Sequence, residues 1–160
     1  MIFITVGSQK FQFNRLLKEI DKLIENGNIN EEVVAQIGVS DYLPKNYKYY
    51  DFLTREQFQN FMKKSDLVIT HAGTGAIITA LKNDKKVIAI PRLSKFGEHV
   101  DDHQIQLIDE FKELNSIEAV YDIEDLKEAI GIVKNKKYNK YISNTDNIIE
   151  DLILFLEEKI

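Results

Sequence analysis

The chain has 160 residues, room for one domain with a substantial core and too few for two ordinary ones. Its 44% hydrophobic and 29% charged residues are the balance of a soluble globular protein; a net charge of −5 argues against nucleic acid as a partner, and the absence of cysteine excludes disulfide scaffolds and thiolate metal sites. No apolar run reaches the roughly 20 residues that cross a bilayer, and residues 1–7 read as a strand rather than a leader, so a cytoplasmic protein is expected.

A strand over residues 2–6 ends in Gly7-Ser8, and a helix over 13–25 lines up Leu16, Leu17, Ile20, Leu23 and Ile24 on one face. Strands over 33–38 and 47–52 follow, with 39–46 between them too short for a crossover helix. Residues 54–63 are helical in pattern. A strand over 67–70 then breaks into His71-Ala72-Gly73-Thr74-Gly75, and a helix runs over 76–82. The strand over 87–90 ends at Pro91 and a polar loop, followed by a helix over 102–114, a strand over 117–121 and a helix over 123–133. A Lys/Asn-rich stretch over 134–144 reads as a solvated turn with local helix, and a last helix is expected over 146–158. Its Ile148, Ile149, Leu152, Ile153, Leu154, Phe155 and Leu156 form a wide apolar stripe, able to close the core or to dock on a partner. The expected fold class is α/β: one domain over 1–160, a Rossmann-like doubly wound parallel sheet of order 3-2-1-4-5-6, with 134–160 a helical extension.

Such sheets bind ligands beyond the carboxyl ends of their strands, which brings Gly7-Ser8, residues 71–75 and the loop over 91–104 to one crevice. A glycine turn at a helix N-terminus seats an anion, because free N–H groups and the helix dipole both favour negative charge. Gly73 and Gly75 leave room for backbone approach, Thr74 adds a hydroxyl, and His71 can donate to a phosphate oxygen or serve only the structure. Gly7-Ser8 lacks the three glycines of a dinucleotide fingerprint and taken alone also suits a plain turn. No Walker A pattern, Asp-x-Asp pair or helical histidine pair is present, so a reaction without metal or cofactor is expected. Asp101 or Asp102 suits a helix N-cap, which puts His103 and Gln104 in the first turn. Arg92 and Lys95 are either anion-neutralising or plain surface cations.

His71-Ala72-Gly73-Thr74-Gly75-Ala76, the strand ending at Pro91, and Asp102-His103-Gln104 together resemble the C-terminal donor-binding domain of GT-B glycosyltransferases of family 28. The string over 91–104 looks like the soluble halves of two-component glycosyltransferases, among them small bacterial proteins of capsule and exopolysaccharide synthesis. The resemblance covers roughly the first 130 residues. It implies a UDP-sugar donor with Gly7, Ser8, Gly73, Thr74, Gly75 and Ala76 around the diphosphate and His71 close by. Phe52-Leu53 would lie near the base, and His103-Gln104 would meet the sugar. Relatives often carry a ribose-binding Glu where this chain has Thr79, which leaves the ribose contact open.

The resemblance further implies an inverting hexosyltransferase that is half of an active site. A membrane-anchored subunit would hold the lipid-linked acceptor and bring the chain to the inner membrane face. Candidate catalytic groups are His71 and His103, while Glu98, Asp101 and Asp102 are the acidic residues at the crevice. The rival readings are a non-catalytic nucleotide-binding module and a nucleotide-sugar epimerase.

Overall fold

The computed structural model describes residues 1–143. The helix expected over 146–158 lies outside the described residues.

Six strands form one all-parallel sheet: β1 (Ile2–Thr5), β2 (Val33–Gln36), β3 (Lys48–Tyr50), β4 (Leu67–His71), β5 (Lys86–Ile90) and β6 (Glu118–Ala119). They lie in the order β3-β2-β1-β4-β5-β6, as the alternation of apolar runs and helical spacing predicts. The α-helices among the described residues are α1 (Asn14–Glu25), α2 (Arg55–Lys64), α3 (Thr74–Lys82), α4 (Gln104–Glu113) and α5 (Leu126–Asn135). Neighbouring strand residues point to opposite faces, so each strand feeds two cores. Ile2, Ile4, Ile69, Ile88 and Ile90 pack on Leu16, Leu17 and Ile20 of α1 and on Leu126 and Ile130 of α5. On the other face Phe3, Val68, Val87 and Ala89 pack on Met62 of α2, Ile77 and Leu81 of α3 and Ile108 of α4. Phe3 meets Phe58 edge to face at 5.3 Å between ring centres.

The connection between β2 and β3 contains no helix, as its length requires, and one buried carboxylate holds it in place. Asp21 on α1 accepts hydrogen bonds from Lys45 N (2.8 Å), Asn46 N (2.8 Å) and the Tyr42 hydroxyl (2.7 Å). That hydroxyl's pKa is pushed up to about 12, first by its hydrogen bond to Asp21.

Three boundaries differ from the sequence expectation in ways that matter for the site. β4 runs one residue further, because His71 still pairs with Ile90 in the sheet register. α3 starts at Thr74, so Thr74 and Gly75 belong to its first turn instead of preceding it. α4 starts at Gln104 with His103 as N-cap, and neither Asp101 nor Asp102 caps it. Asp102 Oδ1 instead accepts from Ser94 N at 2.7 Å, which steadies a short 3-10 turn over Ser94–Phe96. That bond is the first cause holding the Asp102 carboxyl below the usual carboxylate range.

The stretch beyond α5 is also more attached than a solvated turn. Residues 136–143 form no helix, and Asn139 ties them back with N donating to Asn115 O (2.9 Å) and Nδ2 to Leu114 O (2.9 Å). Tyr138 and Tyr141 pack against the two cores.

Candidate functional site

Beyond the carboxyl ends of β1, β2 and β3 and the N-terminus of α3 lies a cleft of about 350 Å³. Of the residues expected at the site, Gly7, Ser8, Phe52, Leu53, Gly75, Ala76 and Thr79 line it together. A larger cavity of about 500 Å³, lined by residues such as Lys86, Ser116 and Tyr138, lies at the opposite, amino ends of the strands. Parallel sheets place ligands at the carboxyl ends, so the smaller cleft is the functional candidate.

The floor of the cleft is the start of α3. Its N-cap is Gly73, and no side chain caps it, so the first-turn N–H groups of Thr74, Gly75 and Ala76 keep their donors for a ligand. By contrast Thr54 caps α2 with a full capping box to Gln57, at 3.2 and 2.9 Å. Thr79 donates its hydroxyl hydrogen to Gly75 O at 2.7 Å and keeps only acceptor capacity toward the cleft.

His71 stands behind this turn as a wedge. A Cβ on Gly73 would lie 2.1 Å from His71 Cε1, and one on Gly7, whose φ is +76°, would lie 2.7 Å from His71 Nε2. Gly7 and Gly73 thus make room for the imidazole, while at Gly75 a Cβ would stand in open space. Only 8% of His71 is exposed, and its pKa is pushed down to about 3, chiefly by burial and then by the Arg92 and His99 charges. A neutral imidazole with Nε2 turned to the Gly7 turn results.

Gln36, Thr5, Arg55 and Phe58 also line the cleft, and sequence reasoning missed them. Gln36 joins two of its walls: Nε2 donates to Gly7 O at 3.4 Å and Oε1 accepts from Leu53 N at 3.1 Å. A glutamine in an otherwise apolar strand was the signal for it.

The loop after β5 is not part of the cleft lining. Arg92, read from the sequence as either anion-neutralising or a plain surface cation, is 1% exposed. Its guanidinium donates to Phe11 O (2.9 Å), to Glu98 O (3.5 Å) and to Val6 O, and lies over the Phe13 ring at 5.4 Å. Burial lowers its pKa to about 10, partly offset by Glu98, and the ion stays charged at neutral pH. Among the described residues its Nε is a buried polar atom without a hydrogen-bond partner. Glu98, a candidate acid at the crevice, is also fully buried: Arg15 holds both its oxygens, at 2.9 and 3.0 Å, and Leu93 N donates to it at 3.0 Å. Both ions brace the loop against the start of α1.

Gln104 is buried, with Oε1 accepting from Arg92 N at 3.0 Å and Nε2 at 3.4 Å from His71 Nδ1. It therefore supports His71 from behind. His103 is exposed, with Nδ1 against Asp101 Oδ1. That contact is the first cause keeping the Asp101 carboxyl below its usual range.

Fold and cleft together define a Rossmann-like domain of the doubly wound α/β class, with a cleft that opens onto the uncapped start of α3. The chain matches the glycosyltransferase family 28 C-terminal domain over residues 1–153 and belongs to that family. It is 28% identical over 98 residues to the UDP-N-acetylglucosamine transferase subunit ALG13 of Candida albicans, covering 61% of this chain and 32% of that protein. It is 28% identical over 156 residues to the pseudaminic acid cytidylyltransferase and UDP-2,4-diacetamido-2,4,6-trideoxy-beta-L-altropyranose hydrolase of Helicobacter pylori, covering 98% of this chain and 28% of that one. The chain thus spans about a third or less of these relatives' length. The solution structure of ALG13 superposes with a TM-score of 0.61 at 21% identity, over 95% of this chain and 94% of that one. MurG of Acinetobacter baumannii gives 0.60 at 17% identity, over 84% and 41%. These share the fold, that of one half of a GT-B enzyme.

Proposed function

We propose that the chain binds a UDP-sugar in the cleft and is the donor-binding, catalytic subunit of a two-component inverting glycosyltransferase. The observation that carries this is the uncapped start of α3 opening onto a cleft walled by Gly7, Ser8, Phe52 and Leu53. The first-turn N–H groups of α3 take the diphosphate, and Phe52 and Leu53 flank the base. Gln36 and Arg55 are further polar groups at the cleft wall. The names of the ALG13 relatives favour an N-acetylhexosamine as the sugar, with a plain hexose next.

In the transfer step an acceptor hydroxyl attacks the anomeric carbon, the bond from that carbon to the phosphate oxygen breaks, and UDP departs with the electron pair. Free N–H groups and the α3 dipole stabilise the charge that grows on UDP. His103 is the better proton acceptor of the two candidate histidines. Asp101 engages its Nδ1 and leaves Nε2 for a proton, whereas burial holds His71 neutral as a donor. A membrane-anchored partner supplies the lipid-linked acceptor at the inner membrane face, in capsule or exopolysaccharide assembly. Among the described residues no helix is long and apolar enough to cross a membrane.

The test is transfer from labelled UDP-sugars to the lipid phase by the chain co-expressed with a candidate membrane-anchored partner subunit, in EDTA. Labelled lipid that depends on both proteins is expected, and label that stays in the donor under every combination contradicts the reading. The Helicobacter pylori relative, matched over nearly the whole chain, supports hydrolysis of a UDP-sugar as the second reading. Release of free sugar by the chain alone in the same assay would establish it.

A further inference from the structure

Outside the cleft, His99, Asp101 and His103 meet on a single turn ahead of α4. One ligand atom from each lies within 4.8 Å of the other two. Nδ1 of His99, which accepts from Asp101 N at 3.4 Å, is 3.3 Å from Asp101 Oδ1, and Nδ1 of His103 contacts the same oxygen, so two imidazole nitrogens and a carboxylate converge. His99 is already placed: its side chain is 11% exposed, and its ring lies 4.9 Å from that of Phe11. The side chains of His103 and Asp101 are about half exposed, and Asp101 Oδ1 is further fixed by accepting from His103 N at 3.1 Å.

The geometry points to a transition-metal site at His99, Asp101 and His103, taking Zn²⁺ or a similar borderline ion through two nitrogens and one oxygen. Imidazole and carboxylate suit zinc, cobalt, nickel and copper, whereas magnesium and calcium prefer oxygen alone. A tetrahedral ion with bonds of about 2.0–2.2 Å needs ligand atoms roughly 3.3 Å apart. His99 Nδ1 and Asp101 Oδ1 already stand at that spacing, and a swing of the exposed His103 ring sets the third ligand. Three protein ligands leave a fourth position for water or a substrate oxygen.

A metal on Nδ1 of His103 keeps a proton on Nε2, and a loaded site cannot accept the acceptor's proton. Inhibition of transfer by zinc follows from this, and that consequence alone rests on the proposed transfer function. Metal binding itself does not.

The test uses untagged full chain and Co²⁺, whose visible absorption reports ligand geometry. One ion per chain is expected, displaced by Zn²⁺ and not by excess Mg²⁺. His99→Ala, Asp101→Asn and His103→Ala should each weaken it at least about tenfold, while His71→Asn leaves it intact. Circular dichroism checks that each variant is folded. Absence of saturable binding, or binding unchanged in the His99→Ala/His103→Ala double variant, overturns the proposal.

Discussion

Nε2 of Gln104 lies 3.4 Å from Nδ1 of His71, and this pair fixes which nitrogen of the histidine carries the proton. The amide cannot be reversed, because its oxygen already accepts from Arg92 N at 3.0 Å. An amide nitrogen only donates, so Nδ1 accepts and the proton sits on Nε2, toward the Gly7 turn. Gln104→Met should strand the Arg92 N–H and cost about 1–3 kcal/mol. Nitrogen chemical shifts of His71 at neutral pH should show the Nε2–H form alone in the natural chain and a mixture in the variant. A protonated Nδ1 in the natural chain would contradict the arrangement.

Glycines at the α3 turn separate packing from binding. Gly73→Ala drives a Cβ to 2.1 Å from His71 Cε1 and should cost about 1–3 kcal/mol through overpacking. Gly75→Ala meets nothing within 4 Å, so unfolding in urea should leave its stability equal or higher, by up to about 1 kcal/mol. Its methyl group would stand where the diphosphate is proposed to lie, so calorimetry should show UDP binding weakened about tenfold. Stability lost at Gly75 and kept at Gly73 would reverse the assignment.

Arg92 acts as a brace between loops. Arg92→Met leaves three carbonyl groups without their donor and should destabilise by about 2–4 kcal/mol in urea unfolding. UDP affinity of the folded fraction should change less than threefold. A stable variant with lost affinity would restore Arg92 as an anion ligand.

His71 also gives stability a pH slope. Its pKa falls from 6.5 to about 3 on folding, so between those values the unfolded chain binds the extra proton. The contribution is fully present above about pH 6.5 and is lost as the pH falls toward 3, with a slope of at most about 1.4 kcal/mol per pH unit. Urea midpoints between about pH 7 and 5 should decline in the natural chain and decline less steeply in His71→Asn. Parallel curves would show that the imidazole is not buried as described.

The sheet order was legible because apolar runs of four or five residues alternate with helical spacing, a pattern that few topologies accommodate. Gly7, Ser8 and Gly75 of the cleft lining were legible for the same reason, since they follow strand ends, whereas Phe52 and Leu53 were expected there from the family resemblance alone. Arg92 was not legible. A cation on a polar loop reads as surface, and only the tertiary meeting of Val6 O, Phe11 O and Glu98 O makes a buried seat for it. The grouping of His99, Asp101 and His103 was hidden too, because their spacing of two converges on a tight turn but not on a helix. Asp21 shows a readable signal passed over: an acidic residue next to Ile20, on the buried face of a predicted helix, announces a buried acceptor.

The central claim is that the start of α3 seats a nucleotide diphosphate, and a titration of isotopically labelled chain with UDP, followed by amide NMR, tests it most directly. Saturable shifts at Gly7, Ser8, Thr74, Gly75 and Ala76 are the predicted result, with residues 135–141 unchanged. Shifts confined to that second cavity, or none at saturating UDP, would contradict it.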